Sequence, residues 1–465
     1  MKTKVLFASP EVYPFAKTGG LGDVSGSLPR ALSKLDVELR IVLPRYKRIN
    51  DWEGAICDFP VPMGSFYETC IVKLTHLDGI YVYFIDNYRY FHRDELYGYG
   101  DDGERFIFFS RAIIELIKNI KWLPDIIHCN DWQTGAIPLL LKKVYKNEKI
   151  KTVFTIHNLQ YQGNVEKENI KLCSLDEELF NPEQLEFYGK FSLLKAGILY
   201  SDFVTTVSDS YSKEIQTKGY GYLMDGVLRA NSRKLFGILN GLDYSEWDPK
   251  NDKYLYKNYS IDTLELKKEN KEKLQEELEL EINDEIPLIS IVSRLTEQKG
   301  MDIIIPIMDK LSRMKLQFVL LGKGDDYYQS IFKKIEYKNI KVLLRFDERL
   351  AHRLYAGSDI FLMPSKFEPC GLGQLISFRY GTIPLVRKTG GLADTVFDIE
   401  KNGNGFVFKS YKPSALLKCI KRAIETYKNK ELWRKIQKEN MKLDYSWDIS
   451  AKKYVELYKK DKYET

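Results

Sequence analysis

The sequence lacks any apolar run long enough to cross a membrane, and its six cysteines include no Cys-x-x-Cys pair. A membrane-spanning helix needs about 18 or more consecutive apolar residues, so a spanning segment is excluded. The cysteine spacing excludes the common zinc motifs and fits reduced thiols in a cytosol. The apolar stretch that follows Lys2 and Lys4 is too short for the core of a signal peptide. We therefore expect a cytoplasmic protein that does not attach to membranes.

The sequence also lacks a strong excess of either charge. Its 71 lysines and arginines outnumber its 65 aspartates and glutamates by only 6, and no basic block is dense enough for a nucleic-acid arm. No Asp-x-Asp pair occurs, so the usual carboxylates that hold a metal on a nucleotide diphosphate are missing. We expect no nucleic-acid partner, and a bound diphosphate would have to be held by arginine, lysine and helix N-termini.

One seven-residue motif occurs near each end of the chain. Residues 17–23 read KTGGLGD and residues 388–394 read KTGGLAD, so six of the seven letters agree. Each copy follows a short apolar run and leads into a helix-compatible segment. Paired glycines let the backbone approach a ligand closely, and amides at a helix N-terminus bind anions. The motif therefore predicts two phosphate-binding turns, although Gly-Gly also occurs in loops that bind nothing.

Apolar β-branched runs alternate with helix-period segments along most of the 465 residues, a length that exceeds one usual core. The alternation predicts an α/β protein with two Rossmann-like, doubly wound parallel-sheet domains, which would face a central cleft. We place the first domain at residues 1–245, the second at 246–445, and a C-terminal helix at 446–465 that packs back on the first. Single helices are expected from Trp132 to Tyr145 and from Met301 to Met314.

Polar motifs follow two of the predicted strands in the second domain. Residues 365–373 read SKFEPCGLG, where Glu368 could accept hydrogen bonds from sugar hydroxyls or merely cap the next helix. Residues 293–300 read SRLTEQKG, where Arg294 and Lys299 could clamp a diphosphate or lie in a solvated turn.

Two further motifs end neighbouring strands of the first domain. Residues 128–132 read HCNDW and residues 155–158 read TIHN. A single histidine is more often structural than catalytic, but strand ends in this fold class meet at one edge, where ligands bind. This placement favours a functional role for His157.

Taken together, these motifs resemble those of the bacterial glycogen synthases and plant starch synthases, which are retaining glycosyltransferases of family 5 with the two-Rossmann GT-B fold. The resemblance covers nearly the whole chain and keeps the family's order. The motifs are FASPE at 7–11, both KTGGL copies, DW at 131–132, TIHN at 155–158, NGLD at 240–243, SRL at 293–295, QKG at 298–300 and EPCGL at 368–372.

The resemblance implies transfer of glucose from ADP-glucose to the non-reducing end of an α-1,4-glucan, with retention of configuration and without a metal or other cofactor. UDP-glucose stays open as the donor, and the partners would be the nucleotide sugar and glycogen or a maltooligosaccharide. The catalytic residues that it implies are His157, Glu368, Asp131 and Lys17. Those implied for the donor phosphates are Lys17, Gly19, Gly20, Arg294, Lys299, Gly371 and Leu372. Those implied for the sugar or the acceptor are Asp23, Asn158, Asn240 and Cys370, and Tyr355 is a candidate for stacking on the base.

The chain departs from related patterns at two positions. Many retaining two-Rossmann enzymes carry a second glutamate eight residues after the first, where this chain has Ile376, and Gly373 stands where threonine is common. No carboxylate pair at the spacing of glycosidases can be located from the sequence. We therefore expect same-face attack, in which the leaving diphosphate helps to deprotonate the acceptor hydroxyl.

Three alternatives are weaker. A nicotinamide-dependent dehydrogenase would need glycine where the chain has Ser25. A non-catalytic glucan-binding protein would not need to keep every implied site residue. A transferase with another acceptor, such as sucrose synthase or a trehalose-forming enzyme, is disfavoured by the EPCG run and the N-terminal KTGGL.

Overall fold

A computed structural model describes residues 2–50 and 52–461 of the chain. The chain divides into two compact units. Unit 1 comprises Met1–Gly241 and Trp447–Thr465, and unit 2 comprises Leu242–Ser446. Residues 462–465 of the predicted C-terminal segment lie outside the described residues. The predicted α/β class is confirmed in both units.

Unit 1 contains twelve strands among the described residues. They are β1 Thr3–Ala8, β2 Val37–Pro44, β3 Gly54–Met63, β4 Phe66–Leu77, β5 Ile80–Asp86, β6 Ile126–Asn130, β7 Lys151–Ile156, β8 Asn164–Val165, β9 Glu186–Phe187, β10 Lys190–Ser192, β11 Phe203–Thr206 and β12 Leu235–Gly237. Nine of them form one large sheet with the order β12-β11-β7-β6-β1-β2-β5-β4-β3, and a small antiparallel sheet has the order β8-β10-β9. Pairing is antiparallel for β3 with β4 and β4 with β5, and parallel elsewhere in the large sheet.

Helices connect the parallel strands of unit 1. They are α1 Gly20–Ser33, α2 Tyr88–Phe91, α3 Asp102–Asn119, α4 Ala136–Lys143, α5 Asn169–Leu172, α6 Leu193–Tyr200, α7 Asp209–Glu214 and α8 Asp225–Ala230. Strands β1, β6 and β7 are almost wholly buried, as expected for central strands that are covered on both faces.

Unit 2 is built on six parallel strands, which are β13 Leu288–Val292, β14 Gln317–Leu321, β15 Ile340–Leu343, β16 Ile360–Met363, β17 Ile383–Arg387 and β18 Phe406–Phe408. Their order in the sheet is β15-β14-β13-β16-β17-β18. The helices are α9 Lys267–Glu277, α10 Met301–Ile304, α11 Met308–Ser312, α12 Asp326–Phe332, α13 Glu348–Gly357, α14 Gly373–Arg379, α15 Gly390–Thr395, α16 Pro413–Tyr427 and α17 Lys430–Met441. In chain order the sheet reads 3-2-1-4-5-6, which is the Rossmann topology.

The same order recurs in the parallel strands of unit 1, where β1 lies between β2 and β6. Successive strands are therefore added on one side of β1 and then, from β6 onward, on its other side. The same reversal in the order of strand addition occurs between β13 and β16 in unit 2. Ligands of such folds bind beyond the carboxyl ends of the strands at these reversals. The topology thus marks one edge of each sheet as the place to look for a site.

Two predicted helices are interrupted. A 3-10 turn at Trp132–Thr134 precedes α4, and a 3-10 turn at Ile305–Ile307 separates α10 from α11. Pro306 lacks the N–H group that would continue the second helix. At Gly135 a Cβ atom would overlap the carbonyl of Leu193, because α6 packs directly against this turn. Helical periodicity alone does not reveal such breaks.

The last helix, α18 Trp447–Lys459, belongs to unit 1. The Tyr458 hydroxyl lies 2.7 Å from Nδ1 of His128, whose Nε2 is 2.6 Å from the Thr155 hydroxyl. Burial lowers the pKa of His128 to about 3, so the ring is neutral and joins α18 to the sheet as a structural group. Among the described residues, no helix is both long and apolar enough to cross a membrane.

Candidate functional site

The first KTGGL turn lies beyond the carboxyl end of β1 and leads directly into α1, which begins at Gly20. A Cβ atom placed on Gly19 or Gly20 would meet no atom within 4 Å, so internal packing does not require either glycine. Open space beside exposed backbone at a helix N-terminus suits an anionic ligand. Nζ of Lys17 lies 2.5 Å from the Asp23 carboxylate, so the structure brings these two predicted residues together.

Glu11 holds this turn in place, a role that the sequence analysis missed. Its buried carboxylate accepts hydrogen bonds from the Thr18 amide at 2.6 Å, the Thr18 hydroxyl at 2.7 Å and the Gly19 amide at 3.3 Å. The Tyr97 hydroxyl donates a fourth bond at 2.9 Å. The only sequence signal was membership of the FASPE motif, because the partners lie 7 to 86 residues away.

Asp131 and His157 follow the adjacent strands β6 and β7, as the sequence predicted. The His157 amide donates to the Asp131 carboxylate at 2.7 Å, and Nε2 of His157 lies 2.9 Å from Oδ1 of Asn130. The Asn130 amide nitrogen donates to the Ala8 carbonyl, which identifies Oδ1 as the acceptor and assigns the ring proton to Nε2. Burial lowers the pKa of His157 to about 3, so the imidazole is neutral at working pH.

Asp131 adopts a conformation that is rare for a residue with a side chain, with φ 56° and ψ 177°. This region of backbone space costs about 1–3 kcal/mol and is concentrated at functional sites. Burial raises the pKa of Asp131 to about 7, and the nearby Glu11 charge adds to the rise, while the amides of His157 and Asn158 oppose it. Asp131 is therefore a carboxyl group that can hold or release a proton near neutral pH.

In unit 2 the predicted residues Lys299 and Glu368 form one ion pair. Nζ of Lys299 is 2.6 Å from the Glu368 carboxylate, which also accepts a 2.9 Å hydrogen bond from the Ser365 hydroxyl. Glu368 is 5% exposed. Gly371, with φ 76°, turns the chain toward Leu372 and α14. The pair joins the loop after β13 to the loop after β16, on either side of the topological reversal.

The second KTGGL copy does not form a second open turn. Cβ atoms at Gly390 and Gly391 would overlap the carbonyl oxygens of Glu368 and Cys370, and the Gly391 amide donates to the Glu368 carbonyl at 3.1 Å. The prediction of two phosphate-binding turns is therefore wrong for this copy. Its glycines allow the backbone to pack under the loop that carries Glu368.

The remaining predicted residues occupy varied environments. Arg294 is exposed, and no ion pair is found for it among the described residues. Asn240 is buried, and its Oδ1 has no hydrogen-bond partner in the described part of the chain. Asn158 is partly buried and its Oδ1 accepts from the Gln160 amide at 3.0 Å, whereas Cys370 is 5% exposed.

Tyr355 and Phe346 differ sharply in exposure. Tyr355 lies within α13, is 4% exposed, and packs against Phe361 with ring centroids 4.6 Å apart. Its ring offers no face for a base to stack on. Phe346 precedes α13, beyond the carboxyl end of β15, and is 87% exposed. Phe346 is thus an exposed aromatic ring at this edge of the sheet, and the apolar periodicity does not single it out because it stands in a polar loop.

Comparisons with known proteins define the class. Residues 4–230 match the family model described as starch synthase catalytic domain, and residues 272–440 match glycosyl transferases group 1. The catalytic domain of starch synthase IV from Arabidopsis thaliana, solved with ADP and acarbose, matches at a TM-score of 0.91 and 35% identity, covering 98% of both chains. Sucrose-phosphate synthase from Thermosynechococcus elongatus, at 16% identity and a TM-score of 0.63, shares the fold. The chain has the architecture of GT-B glycosyltransferases.

Curated relatives narrow this class to one family. Glycogen synthase from Moorella thermoacetica is 50% identical over 470 residues, covering 98% of this chain and 96% of the relative. Glycogen synthase from Clostridium perfringens is 49% identical over 473 residues, covering 98% of each. The chain therefore belongs to the glycogen synthase family, and the resemblance drawn from its motifs is confirmed.

Proposed function

We propose that the enzyme transfers glucose from ADP-glucose to the non-reducing end of an α-1,4-glucan, with retention of configuration and without a metal or other cofactor. The main support is the hydrogen bond of the His157 amide to Asp131 beyond the adjacent strands β6 and β7, together with the open turn that carries Lys17 beyond β1. The chain is also 50% identical to a glycogen synthase. The ADP in the starch synthase IV structure favours the adenine nucleotide as donor. Six free cysteines fit a reducing compartment, and we place the enzyme in the cytoplasm.

Cationic groups and amides would bind the donor phosphates. In unit 1 these are Lys17 and the amide of Gly20, because the Gly19 amide, also predicted, already donates to Glu11 at 3.3 Å. In unit 2 they are Arg294, Lys299 and the amides of Gly371 and Leu372. The ion pair of Lys17 with Asp23 is partly exposed, so exchanging the carboxylate for a diphosphate costs little. These cations and amides also stabilise the charge that grows on the leaving diphosphate.

Neutral and anionic groups would meet the sugar. The low pKa keeps the His157 ring uncharged, so it does not repel the oxocarbenium-like glucose at the anomeric carbon. Glu368 would accept hydrogen bonds from the donor-glucose hydroxyls. The side chains proposed to line the sugar and the acceptor are Asp23, Asp131, Asn158, Asn240 and Cys370.

Retention would follow from same-face attack. In this step the acceptor hydroxyl oxygen bonds to the anomeric carbon as the bond to the diphosphate breaks, and the hydroxyl proton passes to the departing phosphate oxygen. No enzyme nucleophile takes part. Mass spectrometry of protein incubated with donor alone tests this step, and a trapped glucosyl-enzyme would refute it.

The first test of the proposed function is incorporation of labelled glucose into glycogen by the purified protein. ADP-glucose and UDP-glucose are compared in parallel, each with and without a chelator. We expect incorporation from ADP-glucose that resists the chelator. Faster incorporation from UDP-glucose would overturn the donor assignment, and no incorporation from either donor would overturn the acceptor or the activity itself.

Phe346 is proposed to stack on the adenine in place of Tyr355. Base–aromatic stacking contributes about 1–3 kcal/mol, so Phe346→Ala should raise the KM for ADP-glucose by about 5- to 150-fold and change kcat little. Phe346→Tyr keeps a stacking face and should behave as the parent enzyme. Steady-state kinetics against ADP-glucose measures both variants, and an unchanged KM in Phe346→Ala would remove the role.

Glu11 is proposed to position the KTGGL turn without contacting the substrate. Glu11→Ala removes acceptors from the amides of Thr18 and Gly19, and displacing such a turn by about 1 Å costs on the order of 100-fold in kcat/KM. Thr18→Val is the control, because it deletes only the hydroxyl contact and leaves both amides bound; we expect a loss of about threefold. Equal losses in the two variants would contradict a role through the backbone.

A further inference from the structure

A second cluster of ligating groups lies in unit 2, on three residues to which no role in glucosyl transfer is assigned. A ring nitrogen of His352 and one carboxylate oxygen each from Glu246 and Glu348 lie within 4.8 Å of one another. Glu348 and His352 are one helical turn apart on α13, so both side chains occupy the same face. Glu246 belongs to the segment that enters unit 2, where its amide donates to the Asp243 carbonyl at 3.3 Å.

The histidine of this cluster has an unsatisfied nitrogen. His352 is 1% exposed, and its Nε2 is buried without a hydrogen-bond partner among the described residues. A buried polar atom without a partner destabilises a fold, and such atoms call for a ligand or a bound ion. Because Nδ1 is already bonded to Asp252, Nε2 is the nitrogen left for the two carboxylates.

The imidazole is also oriented as metal-binding histidines are. Its Nδ1 lies 2.7 Å from the carboxylate of Asp252, which accepts a second bond from the Tyr380 hydroxyl at 2.6 Å. Trp247 stacks on the ring with centroids 4.0 Å apart and planes 10° from parallel. A carboxylate beside one ring nitrogen holds the proton on that nitrogen and leaves the lone pair on the other nitrogen free for a metal. Such a carboxylate is the usual outer partner of a metal-bound histidine.

We propose that Glu246, Glu348 and His352 bind a divalent transition metal, with Zn²⁺ as the ion that fits best. One imidazole and two carboxylates match the mixed nitrogen and oxygen preference of Zn²⁺, whereas Mg²⁺ prefers oxygen ligands alone. Tetrahedral Zn²⁺ holds its ligands roughly 3.4 Å apart, a spacing that the flexible glutamates reach by small rotations, and water fills the fourth position. The ion would fasten the entering segment of unit 2 to α13 and take no part in glucosyl transfer.

The test uses the full-length protein after chelator treatment and desalting, with Zn²⁺ or Mg²⁺ added back. Thermal unfolding is followed with each ion, and Co²⁺ absorption reports nitrogen and oxygen ligation. At 100-fold excess over Kd, Zn²⁺ should raise the Tm by about 5 °C, and Mg²⁺ should raise it much less. Metal analysis after dialysis should find one equivalent of zinc. No Tm rise with Zn²⁺ would overturn the proposal.

Variants separate this site from adventitious zinc. Glu246→Gln/Glu348→Gln should weaken Zn²⁺ binding at least 10-fold and lower the Tm rise by half or more at the same Zn²⁺ concentration. The matched control is Glu53→Gln, because Glu53 also contacts a histidine, His76, at 2.6 Å but on an exposed surface. It should bind zinc as the parent protein does. Glu348→Gln alone alters an exposed side chain, so it reports on the site even if the double variant folds poorly. Unchanged zinc binding in Glu348→Gln would refute the assignment.

Discussion

Asp131→Asn is expected to abolish most glucosyl transfer and to remove a pH-dependent loss of stability worth about 4 kcal/mol. The pKa of Asp131 is about 7 in the folded protein, against a reference value of 3.8. Between these values the folded state keeps a proton that the unfolded state has released. The contribution of Asp131 to stability therefore falls as pH rises from about 4 to about 7, by about 1.4 kcal/mol per unit, and is constant above that range.

Urea unfolding of both proteins at pH 5, 6, 7 and 8 tests this expectation. The stability of the parent relative to Asp131→Asn should decline up to about pH 7 and then level off. Taking the difference cancels groups that both proteins share, such as His128 and His157. Asp209→Asn, which removes an exposed carboxylate on α7, controls for the loss of one negative charge. A constant difference between parent and Asp131→Asn across the series would refute the raised pKa.

Glu368→Gln is expected to lower kcat by about 10²–10³ and to destabilise the protein by about 3 kcal/mol. The side chains of Glu368 and Lys299 are 7% and 20% exposed, so removing the carboxylate leaves a partly buried ammonium without its partner. Losing a group that holds the donor sugar affects catalysis, whereas the stranded charge affects stability. The two effects have different causes and can be separated.

The double variant Lys299→Met/Glu368→Gln makes that separation. Removing both charges should restore most of the lost stability, because no unpaired charge stays buried, yet activity should stay low. Glu297→Gln, which breaks the exposed pair of Glu297 with Lys366, should change stability by less than about 1 kcal/mol. Recovery of activity in the double variant would show that Glu368 acts only by neutralising Lys299.

The parallel strands near the site were predictable from the sequence because they are short, apolar and buried on both faces. The polar residues directly after them, such as Asp131, His157 and Glu368, could be anticipated for the same reason. The β3–β4 hairpin could not, since its face is exposed at Tyr67 and Ile71 and it carries no continuous apolar run. These strands form by antiparallel pairing with neighbouring strands, and a local sequence pattern does not reveal that pairing.

Contacts distant in sequence account for what was missed within the site. Glu11 accepts a hydrogen bond from Tyr97, which is 86 residues away. The second KTGGL copy packs against the backbone of Glu368, a contact that its own sequence does not show. Tyr355 was predicted to stack on the base, but it lies on the face of an amphipathic helix that packs into the core. An exposed aromatic ring such as Phe346 stands out only once burial is known.

The chain enters and leaves unit 2 at neighbouring points, with the Leu242 amide 2.7 Å from the Tyr445 carbonyl. Unit 2 is therefore an uninterrupted insertion, whereas unit 1 requires α18, whose Tyr458 bonds to His128. During synthesis on the ribosome, every residue of unit 2 emerges before the helix that completes unit 1. Unit 2 can thus finish folding first, whereas unit 1, most of which is made earlier, can finish only after α18 has been synthesised.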